Sequence, residues 1–499
     1  MSFLKTYPLR LTPLSPVHIG CGDDYEPTNY VIDGQILHVF DPARLCLDVR
    51  ERQELMALCD KPGDAAVRGL QSFFAQRKKR CMDVAHARIP VSPGVAEKYR
   101  DRIGKVAQHE GRGKSVNNVL QIARTATNPH AQQPILPGSS LKGFLRTAIL
   151  DRLNHGENRA IDPRNQRHIQ NNLLGGEFQT DPLRLVKVSD AQGEVPRRVC
   201  FQVNRRKKDS TIAQNQELFL ECLAGTATAS LTGELTLQDN PRGVATGEIR
   251  DKTPSKSFAL QEIAQACNAY AFRELNRELA ESRNKSWFPP RWSQAMERLI
   301  ACTALQTGHV FLTRVGRHCG AESVTVAGLR SIKIMGKKGE KPRQLDHALT
   351  AWMAADSKGQ ERDLLPFGWI LVETGERDSE IGQILLEIAA SIPKATPDAE
   401  APCSATSAVL HPAALPVDFT PTPKLPARLR HDSKDLPAVV VDETTKPCLV
   451  RLDWEGAPEL SLRCSGYANA RNGERLLVSV SEWDKNKQLP KAVRLQRIF

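Results

Sequence analysis

PILPGSSLKGFLR, running from Pro134 to Arg146, decides how the chain is read, because a Pro-Gly-Ser-Ser turn opens directly into a helix whose first turn carries a lysine. Ser139 or Ser140 is a natural N-cap. Gly138 lets the backbone approach a ligand closely, the first helical N–H groups have no internal partner, and the helix dipole places partial positive charge at the same end. Such an end suits a phosphate. Leu141, Phe144, Leu145, Ala148 and Ile149 recur at helical spacing and predict a core face, while Lys142 and Arg146, four apart, share the other side. An ordinary capped helix with a solvated basic face has the same pattern, so the surrounding sequence decides between the two.

The 499 residues exceed one ordinary core and predict two to four domains. Hydrophobic content of 40% and charged content of 25% are those of a globular protein. No apolar run approaches the roughly 20 residues of a membrane helix, and the proline-broken start MSFLKTYPLRLTPLSP lacks the apolar stretch of a secretory signal, so the expected compartment is the cytoplasm with no membrane partner. The 12 cysteines show no C-x-x-C pair and no Cys/His cluster at zinc-finger spacing, which indicates neither a disulfide framework nor a structural metal. No G-x-x-x-x-G-K-[ST] loop occurs, which argues against nucleotide hydrolysis, and no cofactor is expected.

The formal charge is +12, and its distribution is local: Lys61 to His130 holds 14 Lys/Arg against 5 Asp/Glu. A polyanionic partner fits this surplus. Its densest point is Arg77-Lys78-Lys79-Arg80, which otherwise reads as a solvated helix face.

In chain order, a strand is predicted at Tyr7–Leu14, a glycine-bearing turn at His18, Gly20 and Gly22, and a hairpin near Tyr30–Ile32 and Gln35–Phe40 about Asp33-Gly34. Asp41–Ala75 is helical, and Ser92–Asn128 reads as a polar, basic insertion that becomes ordered on a nucleic-acid backbone. After the signature helix come a polar connection at Asn154–Gln179 and a strand at Leu183–Val188. A second set has strands from Val199, at Leu218–Ala224, Ala229–Leu237, Val310–Val315 and Leu364–Val372, with helices at Lys256–Ala280 and Trp292–Leu305. Pro393–Pro437, with nine prolines, reads as an extended linker. Beyond it, Cys448–Trp454, Glu459–Cys464, Arg475–Val480 and Lys491–Ile498 predict four short strands of a small β module, either a nucleic-acid-binding barrel or an accessory or protein-docking domain.

PGSSLKGFLR resembles the signature of the repeat-associated (RAMP) superfamily of CRISPR RNA-binding proteins. LSPVHIGCGDDYEPTNYVID, Leu14 to Asp33, resembles the start of the subunit that caps the guide's 3′ end in the type III-A effector, the Csm complex. RVGRHCGAESVTVAGLRSIKIM, Arg314 to Met335, and LLPFGWILVE, Leu364 to Glu373, are similar to its glycine-rich second half and closing strand. The order of elements and the resemblance together imply an α+β fold of two ferredoxin-like (RRM-like) domains with insertions. The expected layout is 1–195 with a basic insertion at about 61–130, 196–392 with a glycine-rich basic loop, a linker at 393–437, and a small C-terminal β module at 438–499.

The resemblance implies a non-catalytic RNA-binding subunit that caps the backbone filament, holds the 3′ region of the guide crRNA, and influences crRNA 3′-end maturation in antiviral defence. Its partners would be crRNA, target RNA, the repeated RAMP backbone subunit, the small helical subunit and a separate trimming nuclease. Candidate RNA contacts are His18, Gly20, Gly138, Ser139, Ser140, Lys142, Arg146, Arg314, Arg317, His318, Lys333, Lys337 and Lys338. Glycines admit a strand of RNA, and arginines hold phosphate or stack on bases. The alternative is a metal-independent crRNA-processing endoribonuclease with His18 as general base. Asp23 and Asp24 form an acidic turn to which no catalysis is assigned.

Overall fold

A computed structural model describes residues 3–392 and 436–498, apart from 62, 111–113, 118–119, 158–165, 207–216, 241–245, 255, 335–340, 443, 446, 454–460, 466–472 and 485–488. Two compact units divide the chain, 1–401 and 402–499. The principal strands of the first are β1 (Leu4–Pro13), β2 (Gly20–Tyr25), β3 (Ile122–Thr125), β4 (Val186–Val188), β5 (Arg197–Arg206) and β6 (Phe219–Leu223). They continue with β7 (Leu231–Gln238), β8 (Val310–Arg314), β9 (Thr350–Ala355), β10 (Leu365–Pro366) and β11 (Trp369–Glu373). Helices α1 (Gly138–Asn154) and α2 (Leu260–Lys285) are the long ones.

Period-two burial builds the strands. In β1, Leu9 and Leu11 are buried, and β1 pairs antiparallel with β7 on one side and β11 on the other. β4 pairs antiparallel with β7, and β8 lies outside β11. The path β1–α1–β4–β7–α2–β11 therefore carries strands in the spatial order fourth, first, third, second, which is the ferredoxin-like arrangement with β8 added at one edge. α1 and α2 pack together, with Phe144 edge-on to Tyr270 at 5.6 Å and Arg273 bonded to Asp151 at 2.8 Å.

The second sheet runs β10-β9-β5-β6-β3-β2, with β6 and β3 parallel. Its strands lie in the segments inserted between β1 and α1 (β2, β3), between β4 and β7 (β5, β6), and between β8 and β11 (β9, β10). The expected division at 195/196 falls inside these sheets: strands from both sides share each of them, so the predicted tandem of two ferredoxin-like domains is corrected to one ferredoxin-like sheet whose insertions assemble a second sheet of different order. The basic insertion is likewise part of the fold where it is described. Val95 and Tyr99 of the helix Pro93–Arg102 are buried, and β3 pairs with β2 and β6. The polar connection Asn154–Gln179 contains a helix, Gln166–Leu174.

In the second unit a closed barrel is formed by β12 (Leu436–Asp442), β13 (Leu449–Leu452), β14 (Ser461–Ser465), β15 (Arg475–Asp484) and β16 (Leu489–Ile498). The last four match the predicted strands. β12 begins in what the sequence reads as linker, because Leu436, Ala438 and Val440 alternate into the barrel core. Linker residues 393–435 lie outside the described residues.

Candidate nucleic-acid interface

The first turn after β1 and the start of α1 meet the loop after β8 around a cleft of about 700 Å³, lined by His18, Gly20, Ser139, Gly143, Thr147 and Arg317 among others. α1 presents Ser139, Gly143 and Thr147, one turn apart on one stripe, while its five predicted apolar residues are all buried. A Cβ at Gly143 would meet nothing within 4 Å, so this wall is open. On the opposite wall Gly316 has φ +98°, and a Cβ there would sit 2.6 Å from the His18 carbonyl oxygen. Glycine is what lets the loop close on the turn, where the Arg317 N–H donates to that same carbonyl at 2.8 Å.

His18 is fully buried. Its Nδ1 lies 2.7 Å from the backbone carbonyl of Glu221, which fixes Nδ1 as the donor and leaves Nε2 as an acceptor without a hydrogen-bond partner. Burial holds its pKa below the ordinary value, against the Glu221 hydrogen bond and with help from nearby Arg317, so the ring is neutral at pH 7. Beneath it the buried Glu221 carboxylate accepts from Arg197 at 3.0 Å, Tyr25 at 3.2 Å and the Thr125 N–H at 3.0 Å, joining β2, β3, β5 and β6. Burial raises the pKa of Glu221 although Arg197 opposes the rise. Sequence reading missed Glu221, Gly143 and Thr147; the stripe Ser139-Gly143-Thr147 was available as a helical spacing of small residues.

Several expected contacts are committed elsewhere. Gly138 is already helical, with Pro137 at the N-cap, so neither serine caps through its side chain. The Gly138 N–H donates to Asp190 at 2.8 Å, and a Cβ there would lie 2.3 Å from the Val188 carbonyl oxygen; its missing side chain admits the protein's own backbone rather than a ligand. Lys142 is half-buried and donates to the Val186 carbonyl at 2.8 Å, its pKa lowered by burial. Arg146 pairs with Asp181 at 2.6 Å and faces away from the cleft. Arg314 touches the cleft but is buried, bonded to Glu278 at 2.5 Å and to the Phe367 carbonyl at 2.9 Å. His318 packs between Trp352 and Phe367, at ring distances of 4.9 and 5.7 Å, and its pKa is pushed down to about 4, chiefly by burial.

The basic run is also largely paired. Arg77 binds Glu51 and Glu54 at 3.1 and 2.7 Å, Arg80 binds Glu51 at 2.7 Å, and Lys78 binds Asp33. Lys79 is exposed, and so is Lys333, on the strand Ile332–Ile334. Lys337 and Lys338 lie outside the described residues. Among the described residues, Arg317 is the cleft cation that is exposed and makes no ion pair.

This cleft joins the signature helix to the Leu14–Asp33 turn, and the alignment of the chain covers both: residues 10–234 match the RAMP superfamily. Over 157 residues it is 24% identical to the CRISPR system Cms protein Csm5 of two strains of Mycobacterium tuberculosis, covering 31% of this chain. It spans 41% of the length of those curated relatives. One chain of a Csm-crRNA-target RNA ternary complex in a type III-A CRISPR-Cas system is similar at 17% identity and TM-score 0.45, over 74% of this chain and 100% of that one. T. onnurineus Csm5 is similar at 19% identity and TM-score 0.42, over 72% and 99% respectively. The matched residues end within β7, so the loop bearing Gly316 and Arg317 completes the cleft from outside them.

Proposed function

We propose that the chain is a non-catalytic RNA-binding subunit of a type III-A CRISPR effector complex, capping the backbone filament in the cytoplasm and holding the 3′ region of the crRNA. The observation that carries the reading is the cleft between the RAMP signature helix and the His18 turn, walled by small residues and supplied with one unpaired cation, Arg317. Small and glycine-rich walls admit a backbone, and Arg317 supplies charge for a phosphate. The buried His18 Nε2, an acceptor lacking a partner, suits a 2′-hydroxyl donor and so favours RNA over DNA. No base-reading array is needed, because a guide grip must leave Watson–Crick edges free for target RNA. In the assembled complex the capping position would expose the guide's 3′ end to a separate trimming nuclease and set how far it is shortened. The repeated RAMP subunit and the small helical subunit would be its neighbours.

The test is binding of the purified chain to single-stranded RNAs of unrelated sequence across a salt series, with the same RNAs followed for cleavage in EDTA. Sequence-independent, salt-sensitive binding without cleavage is expected, with His18→Ala narrowing the preference for RNA over DNA of the same sequence. Site-specific cleavage abolished by His18→Ala would replace this reading with the endoribonuclease one.

A further inference from the structure

The second unit has a surface of its own. Its strands close in the order β12-β13-β14-β16-β15 and back to β12, with β14 and β16 parallel and the other pairs antiparallel. That is the first-second-third-fifth-fourth path of the OB-fold, whose second and third strands form a common oligonucleotide-binding face. Fold alone does not assign a ligand. The assignment here comes from what these strands put outside.

Val450, Leu452, Leu462, Cys464 and Val493 point into the barrel, and the alternate positions Arg451, Arg463 and Arg494 are exposed. The register pairs Arg451 with Ser461, Arg463 with Ala492, and Ser465 with Arg494. The three arginines therefore step by two residues from one strand to the next, a diagonal row across β13, β14 and β16 with neighbours about 8 Å apart at the backbone. β13, β14 and β16 contain no Asp or Glu. Asp453, just past β13, pairs with Arg475 at 3.6 Å, and Glu482 stands opposite Ala492 on β15. Among the described residues Arg451, Arg463 and Arg494 make no ion pair. Serines 461 and 465 flank Arg463 on the same exposed face, adding hydroxyls without bulk.

Three unpaired guanidinium groups in a diagonal row on a sheet face, with Asp453 paired to Arg475 and Glu482 set one strand beyond β16, fit an extended polyanion. We propose that the β13-β14-β16 face of the barrel binds the phosphate backbone of single-stranded RNA, as a second RNA site independent of the cleft in the first unit.

The experiment uses the full chain and a short oligouridylate as probe. The variants are Arg451→Ala/Arg463→Ala/Arg494→Ala, the control Arg283→Ala, and the cleft variant Arg317→Ala, each checked for native far-ultraviolet circular dichroism and unfolding midpoint. The barrel triple variant is expected to lose roughly ten-fold or more in affinity at low salt, and its slope of log affinity against log salt is expected to fall from about 2, three contacts at about 0.7 each for a single strand, to the shallower slope of the cleft. Arg283→Ala, an exposed arginine of the first unit paired with Glu297 and outside the cleft lining, leaves both unchanged. Adding Arg317→Ala to the triple variant lowers affinity further, because the two sites are separate; loss from Arg317→Ala with none from the folded triple variant confines RNA to the cleft and overturns the barrel site. Unchanged affinity and slope in the folded triple variant, or no binding by the wild-type chain at low salt, overturns it too.

Discussion

Arg314, the last residue of β8, and Arg317, in the glycine-rich loop after it, stand three residues apart and have opposite fates. Arg314 is buried against Glu278, so Arg314→Ala strands an acid and is expected to cost roughly 3 kcal/mol or more of stability, read from urea unfolding midpoints. Arg317 is exposed and its loss is expected to leave stability unchanged while weakening RNA binding. Between them, Gly316→Ala forces a Cβ onto the His18 carbonyl at positive φ and is expected to cost about 1–3 kcal/mol in the same assay. His318 supplies a pH dependence. Its folded pKa of about 4 lies below the ordinary 6.5, so the unfolded chain takes up the proton first. The stability it contributes is complete above pH 6.5 and declines as pH falls toward 4. His318→Asn, which tolerates the positive φ of 66° at this position, is expected to flatten that decline between pH 7 and 5. The residue types of this site were legible in sequence. Their partners were not, since Asp181, Asp190, Glu221 and Glu278 come from segments distant in sequence.

The signature helix illustrates what periodicity settles and what it leaves open. Its core face, Leu141 to Ile149, follows from spacing alone, and Lys142 and Arg146 do share another face. Spacing does not say what covers that face, and here β4 and Asp181 occupy it. The start of the helix shifted for a related reason: Gly138 fits beneath the Val188 and Ser189 carbonyls, which places the cap at Pro137. The cleft instead uses the uncharged stripe, which gives a separation of functions to measure. Gly143→Ala is expected to raise stability by about 0.5–1 kcal/mol through helix propensity with RNA binding retained. Gly143→Phe, projecting from an open position into the cleft, is expected to fold and to lose most RNA affinity, measured by fluorescence anisotropy.

The whole chain shows why alternating strands and helices suggested two successive domains. Strands β2, β3, β5, β6, β9 and β10 interrupt one ferredoxin-like path three times and pair with one another, a relation carried by contacts far apart in sequence. Local pattern gives the elements but not their partners. The C-terminal strands, by contrast, pair mostly with near neighbours, and four of the five were legible; β12 hid behind the prolines around it. The barrel has its own hydrophobic core, separate from that of the first unit. Calorimetry is therefore expected to resolve two unfolding transitions, and Val450→Ala to lower only one of them.

The central claim is that RNA lies between the signature helix and the Gly316 loop. Photo-crosslinking of a uridine-rich single strand to the full chain, followed by peptide mapping, tests it directly. Crosslinks are expected on the peptides bearing His18–Gly22, Ser139–Thr147 and Gly316–Cys319, and are expected to fall together in Gly143→Phe. Crosslinks that avoid all three peptides while the chain still binds RNA would contradict the assignment of the cleft.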